Sequence, residues 1–109
     1  MSDAKWMSPT YQTFREEAPQ HAHAWMQMVQ QLSAASALDT KTQSLCYLSV
    51  LAALRLNDGI PFHAAQAQKA GASRAEIVSA ILTGLPAAGL GVTQTLAVAL
   101  ETVDALSAA

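Results

Sequence analysis

The sequence predicts an all-α protein, a single-domain bundle of about six helices. Apolar residues recur at spacings of three and four, and no segment alternates apolar and polar residues as a half-buried strand does. Capping residues and prolines stand where the apolar segments begin. A length of 109 residues fits one domain, residues 1–109, which has a core but leaves much surface exposed.

The first two helices are expected to begin at prolines. Ser8 followed by Pro9 opens a short helix through Glu17, because a proline in the first turn gives up no helical hydrogen bond. Pro19 opens the second helix. Apolar residues of the second helix at spacings of three and four predict a stripe that faces the core. They are Ala22, Trp25, Met26, Val29 and Leu32.

Asp39 predicts the start of a third helix over residues 40–56, because its carboxylate can accept from free N–H groups of the first turn. This helix is apolar around nearly its whole circumference, which predicts burial on most sides. Its apolar residues include Leu45, Leu48, Leu51, Ala52 and Leu54. Pro61 lies in the first turn of a fourth helix, and Gly71 ends that helix in the left-handed conformation.

Ser73 and Glu76 form a predicted capping box for a fifth helix, and the final helix is expected over residues 90–106. The fifth helix has an apolar face of Ile77, Ala80 and Ile81. Residues 77–100 contain no charged residue, but four glycines and prolines interrupt them. That punctuation predicts two packed helices around a bend rather than a membrane span.

Composition excludes several classes of function. The formal charge is −2 and no Lys or Arg cluster occurs, so nucleic acid is not an expected partner. The single cysteine, Cys46, rules out an intrachain disulfide and fits a reducing cytoplasm. The N-terminal segment carries Asp3 and Lys5 with no apolar run behind them, so no signal peptide and a cytoplasmic location are expected.

Alanine makes up about a fifth of the chain, which lets helices approach closely but gives each contact little side-chain area. A single copy of a bundle of this size and composition buries little side-chain area between its helices. The composition therefore predicts a homo-oligomer, in which copies bury helix faces against each other.

Spaced features in residues 38–91 resemble the carboxymuconolactone decarboxylase family, which also contains the alkylhydroperoxidase-D-like proteins. The features are Asp39, Lys41 and Thr42 of an LDxKT opening, then Ala52, Ala53 and Leu54, then His63 eight residues before Gly71, then the cap at residues 73–77. The resemblance implies an all-α homotrimer or homohexamer with sites between helices or subunits.

The redox branch of that family places a glutamate at the position of Ser44, cysteines at Leu56 and Gly59, and a histidine at His63. Only the histidine is present here. Peroxide reduction of that type needs a thiolate and a second, resolving thiol, which Cys46 alone cannot provide. Cys46 also follows Leu45 in a helix expected to be buried, which predicts a small, inert core residue.

The decarboxylase branch reads KTRSL where this chain reads KTQSL at residues 41–45, and it also lacks the cysteine pair. This resemblance implies cofactor-free proton transfer on a small organic acid or lactone. The chain departs from that branch at three positions. Asp58 and Gly59 stand where the branch carries His and Glu, and Gly91 replaces a proline.

His63 is the principal candidate, as the acid or base of a proton transfer, with Asp58 and Ser44 as polar helpers. As an imidazolium it would favour an anionic ligand. A structural histidine that is satisfied by the backbone is the competing interpretation. The resemblance implies no cofactor. No metal is expected, because His21 and His23, two residues apart on a helix, point about 200° away from each other.

Two classes of function follow. The first is a cofactor-free enzyme with an apolar pocket between helices, and the second is a non-catalytic binder of small ligands or a structural oligomer. A thiol peroxidase is a third interpretation, which the missing cysteines disfavour.

Overall fold

The computed structural model describes residues 4–108, so Asp3 of the N-terminal segment lies outside the described part. The described residues form seven α-helices and no strand, which confirms the all-α prediction. The helices are α1 (Pro9–Glu17), α2 (Pro19–Ala35), α3 (Thr40–Ala53), α4 (Ile60–Lys69), α5 (Arg74–Leu82), α6 (Leu85–Ala88) and α7 (Gln94–Ala108). Three short 3-10 helices lie at Ala4–Trp6, Asn57–Gly59 and Leu90–Thr93.

Three predicted helix starts are confirmed by their caps, whereas the final helix begins at Gln94 and not at residue 90, because residues Leu90–Thr93 form a 3-10 helix. Ser8 Oγ accepts from Tyr11 N at 3.1 Å, and Asp39 Oδ1 accepts from Thr42 N at 2.8 Å. Ser73 and Glu76 form the full capping box, with N–O distances of 3.1 and 2.8 Å. Each cap satisfies N–H groups that have no partner inside the helix, so these boundaries could be read from local sequence.

Helix α3 ends at Ala53, three residues before the predicted end. Leu56 N donates to Leu51 O at 2.9 Å and Arg55 N donates to Ala52 O, the hydrogen-bond pattern of a Schellman motif. Gly71 ends α4 in the same way with φ 102°, as predicted. At α3, however, Arg55 occupies the left-handed position with φ 59°, and an arginine gives no sequence signal for such an end.

Helices α3, α4, α5 and α7 form the core, in which α3 packs on α4 and α5, and α7 packs on the same two helices. The largest apolar side chains that are fully buried are Leu48, Ile60, Ile77, Ile81, Val92 and Val103. The predicted apolar face of α5 is therefore confirmed. Exposed ion pairs between Lys41 and Glu76 and between Arg74 and Asp104 also join these helices.

Helix α2 does not belong to the core, since it packs chiefly on α1. Of the predicted core-facing stripe only Ala22 is buried, while Trp25 and Leu32 are exposed. The expectation that α3 is buried on most sides is also wrong, because Val50 and Leu54 are exposed. Periodicity identifies an apolar face, but it does not say whether the same chain covers that face.

The apolar residues 77–100 are divided among α5, α6, a 3-10 helix and the start of α7. Gly89, with φ 85°, makes the bend between α6 and the 3-10 helix. No helix within residues 4–108 is long and apolar enough to cross a membrane.

Candidate active site

His63 lies in the first turns of α4, between two aromatic rings. The ring centroid of Tyr47 on α3 is 4.5 Å from that of His63, and the two planes meet at 52°. Phe62 lies edge-on to the imidazole with a centroid separation of 5.2 Å. Contact between α3 and α4 therefore places a phenol directly against the imidazole, and the aromatic surroundings keep most water away from it.

Burial lowers the pKa of His63 from 6.5 to about 4, because the charged imidazolium loses hydration that its aromatic neighbours do not replace. The ring is consequently neutral at pH 7. The imidazolium that was expected to favour an anionic ligand forms only near or below pH 4. A neutral imidazole has one nitrogen that accepts a proton and one that donates.

Within residues 4–108, no hydrogen bond joins the imidazole of His63 to another group. The competing interpretation, a histidine satisfied by the backbone, requires such a bond. No buried side-chain nitrogen or oxygen among these residues lacks a partner, so the nitrogens of His63 reach accessible space. The imidazole can therefore receive a hydrogen bond or a proton from a ligand.

The two predicted helpers lie in different surroundings. Asp58 is exposed in the 3-10 turn before α4, and its Oδ2 accepts from the hydroxyl of Thr10 at 3.0 Å. Burial is the cause that lowers the pKa of His63, and Asp58 is not among the groups that shift it. Ser44 is half-buried on α3, one turn before Tyr47, and thus on the same side of the helix.

Gly59 is the position where the resemblance expects a glutamate or a cysteine. A Cβ atom at Gly59 would lie 3.9 Å from Cδ2 of His63 and 3.6 and 3.7 Å from the two methyl groups of Leu51. These are ordinary van der Waals distances. A side chain at this position would therefore begin beside both Leu51 and the imidazole, but this chain has only a hydrogen there.

Cys46 is exposed, so the prediction of a buried core cysteine is wrong. It lines an open cleft of about 530 Å³ between α3 and α5, together with Ser49, Glu76 and Ser79. Leu45 precedes it in sequence, but at 100° per residue Cys46 points away from the side of α3 that holds the buried Leu48 and Leu51. His63 does not border this cleft.

Tyr47 is the residue that the sequence reasoning missed. It stands three positions after Ser44 on a helix, which is a signal that the two side chains share a face. Nothing in the local pattern shows that His63, sixteen positions later, meets that face.

The sequence of most of this chain matches a known protein family. The model of the carboxymuconolactone decarboxylase family matches residues 19–102. The chain belongs to the carboxymuconolactone decarboxylase family. No curated protein and no solved structure matches it significantly.

Proposed function

We propose that this protein is a cofactor-free enzyme of the carboxymuconolactone decarboxylase type, which acts on a small organic acid or lactone with His63 as the proton acceptor. The observation that carries the proposal is the state of His63. Its imidazole is largely buried between aromatic rings, is neutral at pH 7 and has no hydrogen-bond partner within residues 4–108. A general base needs a free, neutral nitrogen of this kind.

The neighbouring hydroxyl groups fit the same chemistry. Tyr47 lies against the imidazole, and its phenol can donate to a carboxylate or carbonyl oxygen of the substrate. Ser44, one helical turn away, is a second donor. His63 accepts a proton from the substrate and returns it later in the cycle, so the enzyme ends unchanged. Asp58 supports the site indirectly, because its bond to Thr10 ties the turn before α4 to α1.

A non-catalytic binder of small ligands is the second candidate. The cleft between α3 and α5 favours it, because Leu45, Val50 and Ala80 give this cleft apolar walls that do not include His63. A ligand held there would not contact the imidazole.

A thermal-shift screen with small carboxylates and lactones, followed by turnover assays on the compounds that bind, separates the two candidates. For the enzyme, His63→Gln abolishes turnover while the melting temperature at pH 7 stays close to wild type. Replacement of an exposed histidine on α2, His23→Gln, is the matched control and leaves turnover intact. Binding without turnover, unaffected by His63→Gln, supports the binder instead.

The pH profile provides a further test. A base whose pKa is about 4 is already deprotonated at pH 6, so kcat/KM stays level between about pH 6 and 8 and falls as pH approaches 4. A rate that falls with rising pH over the same range contradicts the role of His63 as a base.

A further inference from the structure

The surroundings of His63 combine aromatic rings with uncharged hydrogen-bonding groups. The rings of Tyr47 and Phe62 lie 4.5 and 5.2 Å from the imidazole, measured between centroids. The phenol of Tyr47 and the hydroxyl of Ser44, on the same side of α3, can each donate a hydrogen bond, and the neutral imidazole can accept one. A ligand here therefore meets a donor and an acceptor, and both are uncharged.

The basic side chains of this chain, 6 in all, lie elsewhere, and two of them form ion pairs. Lys41 Nζ is 2.9 Å from Glu76 Oε2, and this pair joins α3 to α5. Arg74 Nε is 2.9 Å from Asp104 Oδ1, and this pair joins α5 to α7. Neither pair includes a residue of α4, the helix that carries His63.

The other four basic side chains are placed away from the imidazole as well. Arg55 donates to two backbone carbonyl groups, at 2.8 and 3.0 Å. Lys5 Nζ lies 4.9 Å from the centroid of the adjacent indole, and Arg15 lies over a tyrosine ring of its own helix. Lys69 is exposed and lies about 9 Å further along α4 than His63 and about 120° around it. No basic group of residues 4–108 is among those that shift the pKa of His63.

The start of α4 gives an anion no ready partner either. Ile60 N–H already donates to Asn57 O, and Pro61 has no N–H. The charged residue closest in sequence to His63 is Asp58, an exposed carboxylate in the preceding turn. Its negative charge opposes the attraction that the dipole of a helix start exerts on anions. The helix start therefore does not compensate for the missing cation.

Lost hydration acts on a bound anion as it acts on the imidazolium. Burial lowers the pKa of His63 to about 4, because the positive ring loses water that its aromatic neighbours do not replace. A carboxylate at the same place loses hydration too, and it gains only hydrogen bonds from neutral groups in return. An uncharged carbonyl group loses far less and is satisfied by one donor, such as the phenol of Tyr47.

We propose that the site at His63 selects uncharged lactones and other neutral carbonyl compounds over carboxylates. The inference rests on the proposed function, because it concerns the same site, and it narrows the substrate from an organic acid or lactone to a lactone without a free carboxylate. In this arrangement Tyr47 donates to the carbonyl oxygen, and the imidazole faces a proton of the substrate. A substrate without a carboxylate loses no carbon dioxide, so the proton transfer at His63 remains as the chemistry of the site.

The test compares two ligands that differ in charge and little in shape, γ-butyrolactone-γ-carboxylate and its primary amide. Both are titrated at pH 7 into the full chain, and binding is followed by the NMR signals of the His63 ring, which His63→Gln assigns. This measurement detects contact with the site and does not detect binding in the cleft between α3 and α5. The amide is expected to bind at least about tenfold more tightly, because only the carboxylate loses the hydration of a full charge.

A cation placed at the site should remove this preference. A Cβ at position 59 begins 3.9 Å from Cδ2 of His63, so Gly59→Lys brings an ammonium group near the imidazole. Gly59→Gln is the matched control, because it adds a long side chain without charge. Relative to Gly59→Gln, the lysine variant is expected to bind the carboxylate about tenfold more tightly and the amide with unchanged affinity.

Three results would each overturn the proposal. They are a wild type that binds the carboxylate as tightly as the amide, a wild type in which neither lactone shifts the His63 signals, and equal binding of the carboxylate by Gly59→Lys and Gly59→Gln. The proposed function is judged separately, by turnover that depends on His63. Turnover of carboxylates that His63→Gln abolishes refutes the charge selection alone. Selective binding of the amide, with no lactone turned over, supports the charge selection and refutes the proposed function.

Discussion

Replacing Gly59 with glutamate should raise the pKa of His63, because a side chain at position 59 begins within contact distance of the imidazole. The backbone of Gly59 has φ −83° and ψ −11°, which any L residue adopts without strain. The new Cβ makes only ordinary contacts, 3.6 Å from Leu51 and 3.9 Å from Cδ2 of His63. The substitution is therefore expected to fold normally.

The magnitude follows from the distance. A glutamate carboxylate that starts from this Cβ lies about 4 to 5 Å from the ring, where two unit charges attract by about 3 to 4 kcal/mol at an effective dielectric constant of 20. Solvent at the edge of the site screens part of this attraction. The attraction that remains after screening is about 1.5 to 3 kcal/mol. Since one pKa unit corresponds to about 1.4 kcal/mol, this attraction raises the pKa of His63 from about 4 to about 5 to 6.

The assay is an NMR titration of the His63 ring protons, with His63→Gln used to assign the signals. Gly59→Gln is the matched control, since it has nearly the same size and no charge. If Gly59→Glu and Gly59→Gln give the same pKa for His63, the inferred direction of the side chain at position 59 is wrong. If the proposed base chemistry is correct, the glutamate variant should also lose activity at a higher pH than wild type.

Three further predictions concern stability and Cys46. The pKa of His63 is lower in the folded state (about 4) than in the unfolded chain (6.5), so the unfolded state binds more protons between these two pH values. The free energy of unfolding should therefore fall by about 3 kcal/mol from pH 6.5 to 4. Urea titrations of His63→Gln should lack this fall. If wild type and His63→Gln lose the same free energy of unfolding between pH 6.5 and 4, the argument from burial is wrong. Gly91→Ala should lower the free energy of unfolding by about 1 kcal/mol, because the new Cβ collides with the Arg55 guanidinium, which donates to Ala53 O at 2.8 Å and to Ala88 O at 3.0 Å. Gly84→Ala, whose Cβ makes an ordinary contact, is the control. In an Arg55→Ala background, Gly91→Ala should no longer lower the free energy of unfolding. Cys46→Ser should change the free energy of unfolding by less than about 0.5 kcal/mol and leave function intact, because Cys46 is exposed. If the wild type turns over peroxide with a dithiol and the serine variant does not, the non-redox assignment is wrong.

The role of Arg55 shows where reading the sequence was insufficient. Its guanidinium holds the end of α3 against the turn around Gly89 through two carbonyl groups far apart in sequence. This contact offsets the cost of the left-handed conformation and decides where α3 ends. A local pattern does not contain that information, because the partner carbonyl of Ala88 is 33 positions away.

The sequence by itself determined the helical class, the family and the starts of most helices, and it singled out His63 as the principal candidate. Those features depend on interactions within a few positions, such as the caps at Asp39 and Ser73, or on spaced motifs that the chain shares with its family. Only the tertiary structure decided that Tyr47 packs against His63, that Asp58 accepts from Thr10 and that Cys46, Met28 and Leu32 are exposed. The physical reason is that helical periodicity fixes which residues share a face, whereas the packing of helices distant in sequence fixes what that face meets.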